Sequence, residues 1–288
     1  MSHVLVLGGG WVGSAIAAEA ARRGEVTVLD PPLDPVLAPR DDTAAQRLRQ
    51  VLDERGATAV VNACGRVAGD PAALRDANVD FVRWVCEVLG STGVRLVHVG
   101  SAAEYGDPGS ADPVPELHSI HPVGDYATTK AEGTDVVTAA AEAGLDAVTA
   151  RVFNLVGPAI PAVSPLRQWR DELERLGPDG GEIEVWWPDT TRDFLELADA
   201  ARALLDLAAA PSVPAVVNVC SGVGLRFGDI VSALAARLGV PVSIRSLERP
   251  GIPAVVGDPG RLHELLGWSP TMDLERLAEV AASPGAAG

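Results

Sequence analysis

Val4-Leu5-Val6-Leu7-Gly8-Gly9-Gly10-Trp11-Val12-Gly13 opens as an unbroken apolar run, stops on glycine and passes directly into residues at helical spacing. A short run with β-branched valines reads as a buried strand, and the residues after Gly10 read as the start of a helix. Glycines at 8, 10 and 13 set a GxGxxG spacing in the strand-to-helix context that this motif requires. Gly8 allows the tight turn, Gly10 lets the backbone approach a pyrophosphate, and Gly13 permits close helix–strand packing. The free N–H groups and partial positive charge of the helix start, around Trp11 and Val12, suit a bound phosphate. The plainer reading of the same glycines is a turn that binds nothing.

The alternation repeats outward from this stretch. Val26-Thr27-Val28-Leu29, Ala59-Val60-Val61, Leu96-Val97-His98-Val99, Ala147-Val148-Thr149-Ala150 and Val216-Val217-Asn218-Val219 read as further strands. Between them lie helical segments at about 12–23, 43–55, 72–90, 126–143 and 198–209. Nearly continuous apolar strands alternating with helices predict an α/β fold, a doubly wound parallel sheet covered on both faces. Stretch 106–125, rich in Pro, Asp, Ser and His, and stretch 156–165, with prolines at 158, 161 and 165, are expected as loops. The alternation weakens from about 158, which predicts a smaller C-terminal α/β cap. The expected division gives 1–157 plus about 192–219 to the Rossmann domain, and about 158–191 plus 220–288 to the cap.

With 288 residues, 47% apolar and 22% charged, the chain is long enough to bury a sizeable core. A net charge of −16 without a basic stretch argues against nucleic acid and anionic lipid as principal partners. The N-terminus lacks the charged region and cleavage site of a signal peptide, and no window has the roughly 18 uncharged apolar residues that span a bilayer. Cys64, Cys86 and Cys220 are odd in number and widely spaced, as expected of reduced thiols in the cytoplasm rather than disulfides or a metal site. Of the 23 basic residues only Lys130 is a lysine, and the chain has only two tyrosines, Tyr105 and Tyr126.

Asp30, at the end of the second strand, is placed to accept both ribose hydroxyls of an adenosine and to repel a 2′-phosphate, which predicts NAD in preference to NADP. The alternative is an Asp that initiates the Pro31-Pro32 turn. Asn62-Ala63-Cys64-Gly65 comes after the third strand, where small residues let a cofactor lie flat across the strand ends. Cys64 reads as a small buried filler rather than a nucleophile.

Tyr126-Ala127-Thr128-Thr129-Lys130 puts Tyr and Lys one turn apart on a single helix face, so both side chains reach a common point. Chance would place the sole lysine four residues after one of two tyrosines in fewer than ~1% of such chains. A phenol ordinarily titrates near ~10, and a neighbouring ammonium together with an oxidised nicotinamide is expected to bring it down toward working pH as an acid or base. An exposed Tyr/Lys pair on a helix surface is the bland alternative. Ser101, in Gly100-Ser101-Ala102-Ala103-Glu104-Tyr105-Gly106, comes after the strand that ends at Val99, at the sheet edge where α/β ligands bind. Its hydroxyl can hydrogen-bond a carbonyl or alcohol held beside Tyr126. Tyr105 is open to two readings, a substrate contact and an aromatic packed under a turn.

Taken together, the glycine loop, Ser101 through Gly106, Tyr126 with Lys130, Arg151 through Pro158, Arg192-Asp193-Phe194 and Asp258 through Pro270 resemble the extended short-chain dehydrogenases/reductases, also called NAD-dependent epimerase/dehydratases. The resemblance runs through nearly the whole chain. It implies an NAD(P)-dependent oxidoreductase acting on nucleotide sugars, with Ser101, Tyr126 and Lys130 as the catalytic trio. It further implies that Val99 and Phe153 border the cofactor, and that Ala102, Asn154, Arg192 and Arg249 face the nucleotide sugar. The chain departs from the family in carrying Leu7 and GxGxxG in place of GxxGxxG, and in a short segment between Asp30 and Ala59 that leaves one strand–helix repeat reduced or absent.

Family dehydratases place Asp-Glu directly after the catalytic hydroxyl, and here those positions are Ala102 and Ala103. The expectation is therefore a 4-ketoreductase of a nucleoside-diphosphate 4-keto-6-deoxyhexose in deoxysugar biosynthesis, on the likeness of Phe153-Asn154 through Pro253 to reductases of that type. The alternatives are a nucleotide-sugar 4-epimerase, a ketoreductase of a non-sugar natural-product ketone, and a non-catalytic dinucleotide sensor. Relatives imply a homodimer through helices 72–90 and 126–143.

Overall fold

A computed structural model describes residues 3–23, 27–29, 40–247 and 251–283. The apolar run that opens the chain is strand β1 (Val4–Leu7), buried at every position, and the glycines pass into helix α1 (Trp11–Arg23). Next in the chain are β2 (Thr27–Leu29), α2 (Asp42–Arg55), β3 (Ala59–Asn62) and α3 (Pro71–Arg75). The Asp41 carboxylate accepts the Ala44 N–H to start α2, and Gly56 in the left-handed region ends it. A π-helical turn over Asp76–Asp80 runs from α3 into α4 (Phe81–Leu89). Then come β4 (Arg95–Ser101), α5 (Asp125–Glu142) and β5 (Ala147–Val152).

The second part of the chain gives β6 (Asn154–Val156), α6 (Pro165–Leu176), β7 (Gly181–Trp186), β8 (Thr191–Glu196), α7 (Leu197–Ala209) and β9 (Val216–Val219). It closes with β10 (Gly224–Arg226), α8 (Phe227–Leu238), β11 (Val242–Leu247), β12 (Ala254–Val255), α9 (Gly260–Leu266) and α10 (Leu274–Ala282).

The main sheet runs β2-β1-β3-β4-β5-β9, parallel throughout. The chain leaves β1 toward β2 on one side and returns to β3 on the other. This topological switch opens a crevice at the carboxyl ends of β1 and β3, the place where ligands bind in such folds. Both faces are covered, which is why β1, β3 and β5 are buried at every position instead of alternating. Among the described residues only β2 lies beyond β1, consistent with the shortened segment before Ala59. No helix among the described residues is long and apolar enough to cross a membrane.

A second sheet joins β10-β8-β12 with β6 against β8, and β11 pairs in parallel with β7. A separate core, including Leu166, Trp169, Leu173, Ile183, Ile230 and Leu277, fills this part. Two expected boundaries move. Residues 192–196, expected with 192–219 in the main domain, belong to β8, the central strand of the second sheet. It is a seam: Phe194 enters the cap core while Leu195 enters the main one. The piece 220–288 is likewise not all cap, because Cys220, Val255 and Leu262 pack into the main core.

Asp193 fastens that seam. It is fully buried and accepts the Ser221 N–H at 2.9 Å, the Ser221 hydroxyl at 2.7 Å, the Gly222 N–H at 2.9 Å and the Gly257 N–H at 3.2 Å. Replacing it with alanine strands buried donors on two loops at once. Asp193→Ala is expected to cost about 3–5 kcal/mol, read as a lower urea midpoint at unchanged slope. A change within experimental error would show that water replaces the carboxylate.

Candidate active site

At the carboxyl end of β4 the backbone of Ser101 is extended and turns into a single 3-10 turn, Ala102–Tyr105. The Ser101 hydroxyl accepts the Ala103 N–H at 3.2 Å, and Glu104 reaches back to accept the Ser101 N–H at 2.8 Å. This reciprocal capping box fixes the serine at the sheet edge. Gly100 is needed beside it, since a Cβ there would stand 2.6 Å from the Thr149 methyl and 2.9 Å from the Glu104 carboxylate.

Across the crevice, Gly124 at φ +84° starts α5, and Tyr126 and Lys130 project from its first two turns. The phenol of Tyr126 stands beside the Ser101 side chain at the cavity wall. Burial pushes the phenol above its ordinary value, the Ser101 hydrogen bond draws it down, and the Glu104 charge raises it. The buried Lys130 ammonium donates to the Val99 carbonyl at 2.5 Å. Burial brings Lys130 from 10.5 down to about 8, opposed by the negative charge of Glu104. The protein's own groups leave Tyr126 raised, because its burial outweighs its hydrogen bond.

Ser101 and Tyr126 open onto a cavity of about 660 Å³ between the sheet edge and the cap. Trp11, Val12, Val99, Phe153, Ala102, Asn154 and Arg192, all expected at the site, line it. The Asn154 amide donates to the Asp193 carbonyl at 2.7 Å. Arg192 donates to the Thr191 and Ile252 carbonyls at 2.8 and 3.0 Å, and its guanidinium lies 5.9 Å from the Phe227 ring. Burial lowers it to about 10, with Asp107 opposing. Most of the remaining wall is apolar, including Val67, Val123 and Val163, which are themselves exposed around the mouth.

The family model described as the NAD dependent epimerase/dehydratase family matches residues 4–220. The chain belongs to the NAD-dependent epimerase/dehydratase family. It is 29% identical to dTDP-6-deoxy-L-talose 4-dehydrogenase (NAD(P)(+)) of Kitasatospora kifunensis, over 95% of this chain and 92% of that one. It is 28% identical to UDP-glucose 4-epimerase of Corynebacterium glutamicum, over 96% and 94%. The structure of RMD from Pseudomonas aeruginosa complexed with NADPH superposes with a TM-score of 0.81 at 24% identity, covering 98% of each chain, a likeness of fold.

The glycine loop fits the dinucleotide of this family. Gly8 sits at φ +104°, and a Cβ on it would crowd the Cys64 N–H and thiol at 2.9 and 3.0 Å. A Cβ on Gly13 would overlap the Gly8 carbonyl oxygen, so helix and loop pack with nothing between them. Gly9 and Gly10 face open space, and the first turn of α1 carries no acidic residue to compete for an anion. Below this loop Asn62 is wholly buried, accepting the Cys64 N–H at 3.1 Å and meeting His98 at 3.2 Å. It shapes the turn through Ala63, Cys64 and Gly65, and its side chain is turned into the protein. Gly65 keeps clear of Asn78, whose amide oxygen would lie 3.0 Å from a Cβ there.

Tyr105, one of the expected substrate contacts, is turned away from the cavity. It is fully buried, donates to Asn218 at 2.7 Å and carries the Arg151 guanidinium 4.8 Å from its ring centroid. Its packing role wins because the apolar ring fills the main core while the hydroxyl still finds a partner. Asp30 and Arg249 lie outside the described residues. Conversely, Glu104 and Arg151 are not among the expected site residues, yet both are buried directly behind the trio. Ser101-Ala102-Ala103-Glu104 carries the trace of one of them, the S-x-x-E spacing of a capping box.

Proposed function

We propose that the protein is an NADH-dependent 4-ketoreductase of a nucleoside-diphosphate 4-keto-6-deoxyhexose, a cytoplasmic enzyme of deoxysugar biosynthesis. The observation that carries this reading is the apolar wall facing Ser101 and Tyr126, with Ala102, Val123, Phe153 and Val163 around them. Such a wall suits a sugar with a methyl group at C6 and leaves few partners for a C6 hydroxyl. Ala102 and Ala103 put no carboxylate directly after Ser101, where family dehydratases carry the acid/base pair for elimination of water.

A bound nicotinamide supplies the hydride to C4. Ser101 orients the C4 carbonyl through its hydroxyl, and Tyr126 donates the phenolic proton to the same oxygen. The raised phenol is protonated at neutral pH, the form a reduction needs. In this reading Lys130 holds the cofactor's ribose and Arg192 with Asn154 meets the diphosphate or sugar, where positive charge offsets a net −16. Asp30 supports NAD over NADP. For the assembly we propose a homodimer through α4 and α5, which lie side by side on one face of the sheet; sedimentation as a monomer would remove it.

NADH oxidation with a panel of nucleotide 4-keto-6-deoxysugars tests the reaction. Turnover with at least one of them is expected. The second reading, a UDP-hexose 4-epimerase, is favoured by the full-length likeness to the Corynebacterium glutamicum enzyme. Interconversion of UDP-hexoses by protein carrying bound NAD, without NADH consumption, would replace the first reading with this one.

A further inference from the structure

Glu104 carries a charge that the proposed reaction does not use. Its side chain is wholly buried, and both of its oxygens are engaged. Oε1 accepts the Ser101 N–H at 2.8 Å. Oε2 accepts the Thr134 hydroxyl at 2.9 Å and the Arg151 Nε–H at 2.8 Å. One carboxylate therefore ties three elements together: the serine turn after β4, helix α5 one turn beyond Lys130, and strand β5. A merely structural tie would not need a charge there, because burying a carboxylate and a guanidinium is expensive and an apolar pair of similar volume would pack as well.

We propose that Glu104 is a positioning residue, which locks Ser101, α5 and β5 beneath the cavity and keeps a buried negative charge directly behind the Ser101, Tyr126 and Lys130 site. The proposal rests on the roles given above to Ser101, Tyr126 and Lys130. The charged and titratable groups around the carboxylate fix its sign. Arg151 faces it from β5 as its ion-pair partner. Tyr126 and Lys130 stand on α5, which Glu104 grips through Thr134, and its charge raises both. Tyr105 lies on its own turn against Arg151. His98 from β4 is buried beside Lys130 and held neutral by that burial. On the far side, the Arg151 guanidinium also donates to the Glu116 carbonyl at 3.2 Å.

A negative charge favours the protonated form of both Tyr126 and Lys130, so its removal lets both lose their protons at lower pH. Glu104→Gln keeps the shape and the acceptor to the Ser101 N–H while deleting the charge. The alkaline limb of kcat for ketosugar reduction is expected to move down by about one pH unit in this variant. Glu104→Asp, which restores the charge, is expected to return the limb most of the way. The same shift can be read without turnover. In a Tyr105→Phe background Tyr126 is the sole tyrosine, and its phenolate band in the ultraviolet reports the titration directly.

A Glu104→Gln limb and phenolate step at the wild-type positions, with only the melting temperature lowered, would overturn the proposal and leave Glu104 a structural tie. Failure of the reductase reading has a different appearance: the parent enzyme turns over no ketosugar while the phenolate step still moves.

Discussion

Tyr126→Phe is expected to lower kcat for ketosugar reduction by about 10²–10⁴-fold, the range over which a positioned proton donor acts. The change is confined to one oxygen. Tyr126 sits in the first turn of α5, half-buried, with its hydroxyl against Ser101 and its ring against the cavity wall. Phenylalanine keeps the ring and its packing, and Ser101 keeps the Ala103 N–H as a partner. Melting temperature and NADH affinity should therefore stay near the parent values while kcat collapses, the signature of an interaction made at the reacting atoms. In the parent the raised phenol keeps its proton through neutral pH, so reduction should be flat there and fall only in the alkaline range. Stopped-flow single turnovers with NADH, repeated across pH, measure both effects. Biological activity unchanged in Tyr126→Phe would point instead to a dinucleotide sensor.

The parts legible in the sequence are those where a residue type has one physical use. Four apolar residues ending on Gly8 have to be a buried strand before a tight turn, and Gly13 has no room for a side chain. A sole lysine one helical turn from Tyr126 stands out against a background of arginines, and Lys130 and Tyr126 do lie on one face of α5. Illegible were the features that depend on which way a side chain turns after its strand has paired. Tyr105 is one residue past Glu104 in a tight turn, and the turn sends the carboxylate under Ser101 and the ring into the core. Nothing in an aromatic next to a glycine separates that from a ring facing the substrate. Arg151 in β5 shows the same limit, since an arginine in an apolar strand declares a buried partner without naming Glu104. The seam at β8 was hidden because Leu195 and the helix after it do belong to the main core, while the strand's hydrogen bonds belong to the second sheet.

Lys130 gives the sharpest separation of fold from chemistry. Its ammonium is buried and, among the described residues, makes a single hydrogen bond, to the Val99 carbonyl, in a recess where a methyl on Gly65 would come within 3.9 Å of Nζ. Arginine brings a planar group with five donors in place of a compact ammonium. One carbonyl cannot satisfy them, and each buried N–H left over costs about 1–3 kcal/mol. Lys130→Arg should therefore displace α5 at Tyr126, lowering kcat by about 10²-fold or more together with stability. Lys130→Met removes the charge and keeps the length. Its activity should fall as far, but its stability should rise. Burial takes the ammonium from 10.5 down to about 8, so the folded state binds that proton less well than the unfolded chain does. The resulting penalty, about 3 kcal/mol, is fully present below pH 8 and fades as pH rises to 10.5. Thermal melts of the two proteins from pH 7 to 10.5 should accordingly start apart, with the methionine variant higher, and converge. A methionine variant less stable than the parent at pH 7 would mean that the bond to Val99 outweighs the burial of the charge, and that Lys130 serves the fold as much as the site.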